Sequence, residues 1–253
     1  MNITSWNVNS LNVRLPHVLQ YLQETAPDIL GLQELKQTDV AIDRTALAAA
    51  GYHLESHGQK TYNGVALLAR EALTDVVRGI PGYADEQARA IAANVGDVRV
   101  LNLYVPNGKA VGDEKYTYKL HWLDAATRYI DDLKREHPRL IITGDYNIAP
   151  ADLDVHDPDK WRDQILCSAP ERQALQNILA LGFKDAYRAL HPDTQQFSWW
   201  DYRMGGLRRN IGLRIDLTLA SDALALLDAG IDTAPRHWER PSDHAPVWVK
   251  IGA

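Results

Sequence analysis

Short apolar runs of strand length recur along this chain, and polar side chains gather at their ends. Runs this continuous are buried on both faces, so they call for sheets that are covered rather than sheets wetted on one side. The candidates are Ile3–Val8, Ile29–Gln33, Val65–Ala69, Ile91–Val95, Val98–Val105, Leu140–Thr143, Phe197–Trp200, Ile215–Ala220 and Ala245–Ile251. Gly96-Asp97 between two of them reads as a hairpin turn. Longer amphipathic stretches separate the runs. One helix opens near Arg14-Leu15-Pro16, with Val18, Leu19 and Leu22 at helical spacing. Another, Tyr116–Glu136, carries Leu120, Leu123, Ile130 and Leu133 near one stripe and stops before Pro138. A third, Pro170–Leu181, ends at Gly182. Strands in clusters and hairpins, with helices between them, predict a mixed or antiparallel α/β sandwich covered by helices. No repeat, long linker or low-complexity stretch divides the chain, so residues 1–253 read as a single domain.

Composition narrows the class. With 45% hydrophobic and 24% charged residues the chain can bury a core, which excludes disorder as its main state. No window approaches the roughly 20 apolar residues of a membrane helix. The single Cys167 excludes an internal disulfide framework and a multi-cysteine metal site. Met1–Trp6 shows neither a basic stretch nor a long apolar one, which sets a cytoplasmic protein as the expectation. The formal charge of −6 argues against bulk affinity for nucleic acid but says little about one local face.

The polar residues at the run ends carry the chemistry. Asn7 follows the first run and Glu34 the second, Tyr104 lies near the end of Val98–Val105, and Asp145 and Asn147 follow Leu140–Thr143. Asp216 lies within Ile215–Ala220, and Asp243-His244 immediately precede the last run. Singly each has an ordinary explanation: a solvated strand end, a turn, a cap or a satisfied core histidine. As a set they supply oxygen donors and one imidazole, an inventory that suits Mg²⁺ or Mn²⁺ and disfavours zinc. Such a set, with a spare carboxylate and a histidine, is fitted to phosphodiester hydrolysis.

Seven segments then occur in order: Ile3–Asn9, Leu32–Lys36, Tyr104–Gly108, Gly144–Pro150, Ser198–Arg203, Gly212–Asp216 and Pro241–Val247. In these segments the chain resembles the exonuclease III and AP endonuclease family, within the endonuclease/exonuclease/phosphatase superfamily. The Gly-Asp-x-Asn and Ser-Asp-His pieces are shared widely, whereas Trp-Trp-Asp-Tyr-Arg and Gly-Leu-Arg-Ile-Asp are specific to the exonuclease III branch. The resemblance implies a four-layered α/β sandwich, two mixed sheets packed face to face and flanked by helices, with the site at one end of both sheets. It implies Glu34 as principal metal ligand, with Asn7, Asp145, Asn147, Asp243 and His244 around the ion. Asp145 would orient or deprotonate the attacking water, Asn147 would hold a phosphate oxygen, and His244, held by Asp216, would stabilise the transition state. Tyr104 would lie near the leaving group. Asn107 stands where many relatives carry Gln.

The activity so implied is Mg²⁺-dependent, with Mn²⁺ able to substitute. It comprises incision of duplex DNA 5′ of abasic sites, 3′–5′ exonuclease action and removal of 3′ blocking groups, carried out by a monomer. The DNA-contacting residues expected are Lys36, Arg89, Lys119, Arg203, Arg208 and Arg209 as a basic face, the Asn107 amide, and Trp199, Trp200 and Leu213 as an apolar wall. Two other readings stand beside it. One is a phosphoesterase for lipid or inositol phosphates, and the other a non-catalytic nucleic-acid-binding relative. The second of these predicts erosion of Glu34, Asp145, Asn147 or His244, and all four are present.

Overall fold

The structure, a computed structural model, describes residues 1–252. Its strands are β1 (Asn2–Asn7), β2 (Ile29–Gln33), β3 (His53–His57), β4 (Val65–Ala69), β5 (Thr74–Arg78) and β6 (Ala90–Val95), followed by β7 (Val98–Tyr104), β8 (Leu140–Asp145), β9 (Phe183–Asp185), β10 (Asp216–Ser221), β11 (Leu226–Ile231) and β12 (Val247–Ile251). They form two six-stranded sheets, ordered β11-β12-β1-β2-β4-β3 and β5-β6-β7-β8-β10-β9. Each sheet has one parallel pair at its centre, β1 with β2 and β7 with β8, and antiparallel neighbours outside it. Both sheets are therefore mixed.

The sheets face each other across a core that includes Ile3, Ile29, Leu67, Ile91, Val100, Ile141 and Val249. Toward the carboxyl ends of β1, β2, β7 and β8 this layer turns polar. Gln33 Nε2 donates across the gap to Asn102 Oδ1 (2.6 Å) and within its own sheet to Ser5 Oγ (2.9 Å), while Asn102 Nδ2 reaches the carbonyls of Leu32 and Ala66. Helices α1 (Leu11–Thr25) and α2 (Arg44–Ala49) cover the outer face of the first sheet, burying Val18, Leu22 and Leu47 against Leu30, Leu32 and Leu68. Helix α3 (Glu114–Glu136) covers the second with Leu123, Ile130 and Leu133. Asp113 caps it, with Glu114 in its first turn and Lys134 and Arg135 in its last, as the helix dipole favours. A short α4 (Pro158–Trp161), then α5 (Ala169–Ala180) beside α3 and α6 (Ala186–Leu190), complete the four layers. No helix among the described residues is long and apolar enough to cross a membrane.

Two local expectations are corrected. Phe197–Trp200 is not a strand: Trp199 makes only isolated bridges to Leu213 and His244, and the Ser198 hydroxyl takes up the Ile215 and Asp216 amides. Helix α1 opens at Leu11, three residues before the expected start, so that Pro16 lies inside it, where its missing N–H forfeits one i→i−4 bond.

Candidate active site

Strand register brings the polar run ends together. Asn7 is level with Gln33 across the parallel β1–β2 pair, so Glu34 emerges beside it. Tyr104 is level with Asp145 across β7–β8, and Asp216 faces Asp145 across the antiparallel β8–β10 pair. Ser5 pairs with Val247, which places the approach to β12, and with it His244, at the same end. Gly144 makes the β7–β8 approach possible: its φ is +149°, and a Cβ there would lie 1.9 Å from the Leu103 carbonyl oxygen.

The side chains form one network. Asn7 Nδ2 donates to Glu34 Oε1 and to Asp145 Oδ2, both at 2.9 Å. The Tyr104 hydroxyl donates to the same Glu34 oxygen at 2.9 Å. His244 Nδ1 donates to Asp216 (2.9 Å to Oδ2), and its Nε2 lies 3.8 Å from Asp145 Oδ2. Ser198 Oγ donates to the same Asp216 oxygen at 2.6 Å. The Asn147 amide N–H donates to Asp145 Oδ1, while its side chain reaches the Val105 carbonyl and accepts from Asn107 Nδ2.

Glu34 and Asn147 both have positive φ, 54° and 49°, conformations that non-glycine residues hold only under constraint. The constraint on the Glu34 loop is visible in the backbone. Ser10 N–H donates to the Glu34 carbonyl, and Leu35 and Lys36 donate to Gly64 and Asn63.

These contacts set the charges. Burial pushes the Asp145 carboxyl up to about 7, Asp216 adding to the effect and the His244 charge opposing it. Burial alone would lower the His244 imidazolium, but Asp216 and Asp145 outweigh it and hold the group up at about 10. Burial also works against the Glu34 carboxylate, yet Lys36 and Asn7 keep it below the usual range. The Tyr104 hydroxyl, buried beside Glu34 and Asp145, is held well above its usual value and stays protonated.

A hard divalent ion fits the donor set. One donor atom each from Glu34, Asp145 and His244 lies within 4.8 Å of the others, and two of the three are carboxylate oxygens. The Lys36 ammonium, 2.9 Å from Glu34 Oε2, balances the charge of that carboxylate. Asp243 and Asn7, also expected around the ion, have hydrogen-bond partners here. Asp243 is occupied by Asn9 Nδ2 (2.9 Å) and Trp199 Nε1 (3.0 Å), and the Asn7 oxygen accepts from the Asn9 backbone.

Several expected DNA contacts lie elsewhere. Lys119 is fully buried, its ammonium paired with Glu171. Trp200 is buried against Phe197 and Val247, and Leu213 against Val155 and Ile215, so neither presents a wall. Lys36 spends its charge on Glu34 and Asn9, and Arg203 on Asp201. Arg208 and Arg209 are exposed, Trp199 is half-buried, and Asn107 is exposed beside Asn147. Arg89, stacked over Tyr104, lines a cleft of about 700 Å³ together with Tyr62, Asn107, Lys115 and Tyr118. Sequence reading missed Asn9 and Ser198. Both lie inside segments that carry the resemblance, but nothing in their type or spacing sets them apart from turn residues.

The fold and this cluster define a phosphoesterase site at the end of a double sheet, and comparison with known proteins agrees. Residues 4–244 match the endonuclease/exonuclease/phosphatase family, to which the chain belongs. It is 38% identical to exodeoxyribonuclease III of Haemophilus influenzae, over 99% of this chain and 100% of the relative. A solved structure of the 3′ phosphatase NExo from Neisseria, bound to a product DNA hairpin, superposes with a TM-score of 0.99 at 47% identity, and an AP endonuclease from Archaeoglobus fulgidus with 0.96 at 36%, each over the full length of both chains. Within its family the chain is a hydrolase of the exonuclease III and AP endonuclease type.

Proposed function

We propose that this nuclease hydrolyses phosphoesters of duplex DNA with Mg²⁺, or Mn²⁺ in its place, removing nucleotides and phosphates from 3′ ends and incising 5′ of abasic sites. The observation that carries the reading is the continuous chain Ser198–Asp216–His244–Asp145, which meets Glu34 beside an aromatic and basic cleft. The relatives support the substrate class, one being named a 3′ phosphatase bound to product DNA and another an AP endonuclease.

Glu34, with the Asp145 carboxylate within reach, would hold the ion, which would supply polarisation of the phosphate and stabilisation of the leaving oxygen. Asp145, poised near neutrality, accepts the proton of the attacking water. The His244 imidazolium, anchored by Asp216, faces the negative charge that grows on the phosphoryl oxygens, and the Asn147 amide donates to one of them. Tyr104, protonated, can donate to the leaving oxygen. All of these groups come from one chain, which supports a monomer as the working unit.

The test is turnover of three duplexes in parallel: one with a central abasic site, one with a recessed 3′ hydroxyl and one with a 3′ phosphate. Each is assayed with Mg²⁺, with Mn²⁺ and with excess chelator. Cleavage of at least one duplex only with the ions present supports the reading, and Glu34→Ala should weaken metal binding more than DNA binding. Full activity in chelator would overturn the metal assignment. Failure on all three duplexes, with turnover of an inositol phosphate, would favour the non-DNA phosphoesterase.

A further inference from the structure

Behind the site lies a charge that none of the steps above uses. Lys119, on α3, is fully buried, and its ammonium has three hydrogens and three acceptors. They are the Asn147 carbonyl (2.6 Å), the Asn107 carbonyl (3.2 Å) and the Glu171 carboxylate. Glu171 is equally committed. Its Oε1 also accepts from the Leu166 N–H (3.1 Å), and its Oε2 from the Ser168 N–H (3.1 Å) and hydroxyl (2.6 Å), an arrangement that closes the start of α5. Gly108 leaves the room: its φ is +89°, and a Cβ there would sit 3.1 Å from Lys119 Cδ. One ion pair thus ties the loop after β7, the loop after β8 and the segment leading into α5.

Two of those loops carry the amides at the reacting phosphate. Asn147 holds a left-handed backbone whose carbonyl turns into the protein, where it needs a donor. Its N–H in turn fixes Asp145, and its side chain meets Asn107. We infer that Lys119, with Glu171 as its counter-charge, is a positioning residue for the reaction: it holds the Asn147 backbone so that the Asn147 amide and the Asp145 carboxylate aim at the scissile phosphate. This rests on the nuclease reading of the site. A buried ion pair alone would be weak grounds, since hydrophobic replacements of such pairs are often as stable. Here the ammonium also satisfies two carbonyls that an apolar replacement cannot.

That difference supplies the test. Lys119→Met leaves the buried Glu171 carboxylate without its counter-charge, so it should lose both thermal stability and turnover. The double variant Lys119→Met with Glu171→Gln removes both charges and should recover most of the Tm. Its kcat on the duplex the unaltered enzyme cleaves fastest should still stand about 10- to 100-fold down, with KM little changed, as for misplaced catalytic groups. In an Asn147→Ala background the same double change should cost visibly less, because one of the groups it positions is already gone. Recovery of kcat together with Tm, or equal losses in both backgrounds, would overturn the inference. Should neither Lys119 variant fold, Ser168→Ala removes a single hydroxyl donor to Glu171. A lowered kcat at unchanged KM then supports the role, and a lowered Tm with intact kcat overturns it. Absence of turnover by the unaltered protein would instead sink the nuclease reading, so the two failures are distinct.

Discussion

Asp145 is reached from both sheets and from the last loop: by Asn7 on β1, by the Asn147 amide two residues on, and by His244 ahead of β12. Because His244 is itself held by Asp216, the two should act as one unit. His244→Ala is expected to lower kcat by about 10²–10⁴, Asp216→Ala by less, and the pair together by much less than the product of the two. Kinetics of the three variants on one duplex check this, and multiplicative losses would show separate roles. The same pairing has a pH signature. His244 is held up at about 10 in the folded chain, above the ordinary histidine value of about 6.5. Below pH 6.5 the imidazole is charged whether folded or not, so its own titration adds no slope there. Above that the unfolded chain loses the proton first, so the contribution of the charged imidazole fades as pH rises through about 10. Urea midpoints measured in chelator from pH 6.5 to 10 should therefore fall more steeply for the unaltered protein than for His244→Gln. Parallel curves would mean that the imidazole is not held charged.

At the scale of elements, the four strands that no apolar run announces are β3, β5, β9 and β11, and these are the four sheet edges. Edge strands are short, half-wetted and polar, as in Thr74–Arg78 or Phe183–Asp185, so they carry no continuous buried run. Interior strands such as β2 and β4 are buried at every residue, and their boundaries were legible to the residue. The catalytic groups were legible for the related reason that a carboxylate at the end of such a strand is conspicuous. Side chains that depend on packing were not. Trp199 and Trp200 are adjacent and identical in type, yet one edges the site and the other is core. Trp200→Ala should accordingly lower stability by about 3–5 kcal/mol, as removal of a buried aromatic does, without altering discrimination among DNA duplexes. Chemical unfolding and paired binding titrations separate the two effects. In the exposed loop that follows, Arg208 and Arg209 remain as cations without an acid partner among the described residues. Replacing both with Ala should weaken duplex binding evenly across sequences and flatten the slope of log K against log[salt], by about one unit for each phosphate no longer neutralised. An unchanged slope in titrations at several salt concentrations would place the DNA elsewhere.

Taken as a whole, the molecule divides its site between two sheets: Asn7, Glu34 and His244 belong to one, Tyr104, Asp145 and Asp216 to the other. Their alignment depends on the buried amides beneath them, where Gln33 and Asn102 bond across the gap. Asn102→Leu keeps the volume but removes the acceptor of Gln33 across the gap and the donor to the Leu32 and Ala66 carbonyls, at a cost of about 1–3 kcal/mol for each group left unpaired. Its kcat should fall further than that of an apolar core variant of equal Tm, which turnover at matched stability would reveal. The first sheet has one further property. Beside its central pair, β1 is bonded to β12, so that Ser5 lies opposite Val247 and the Met1 carbonyl accepts from Ile251. Contacts this distant along a chain close late and slowly. During synthesis Glu34, Tyr104 and Asp145 emerge early, but β1 has no partner on that side, and His244 no place to stand, until the last strand has left the ribosome. A chain stopped short of residue 244 would therefore hold Glu34, Tyr104 and Asp145 but lack both the imidazole and the strand that closes β1, and it should show no turnover.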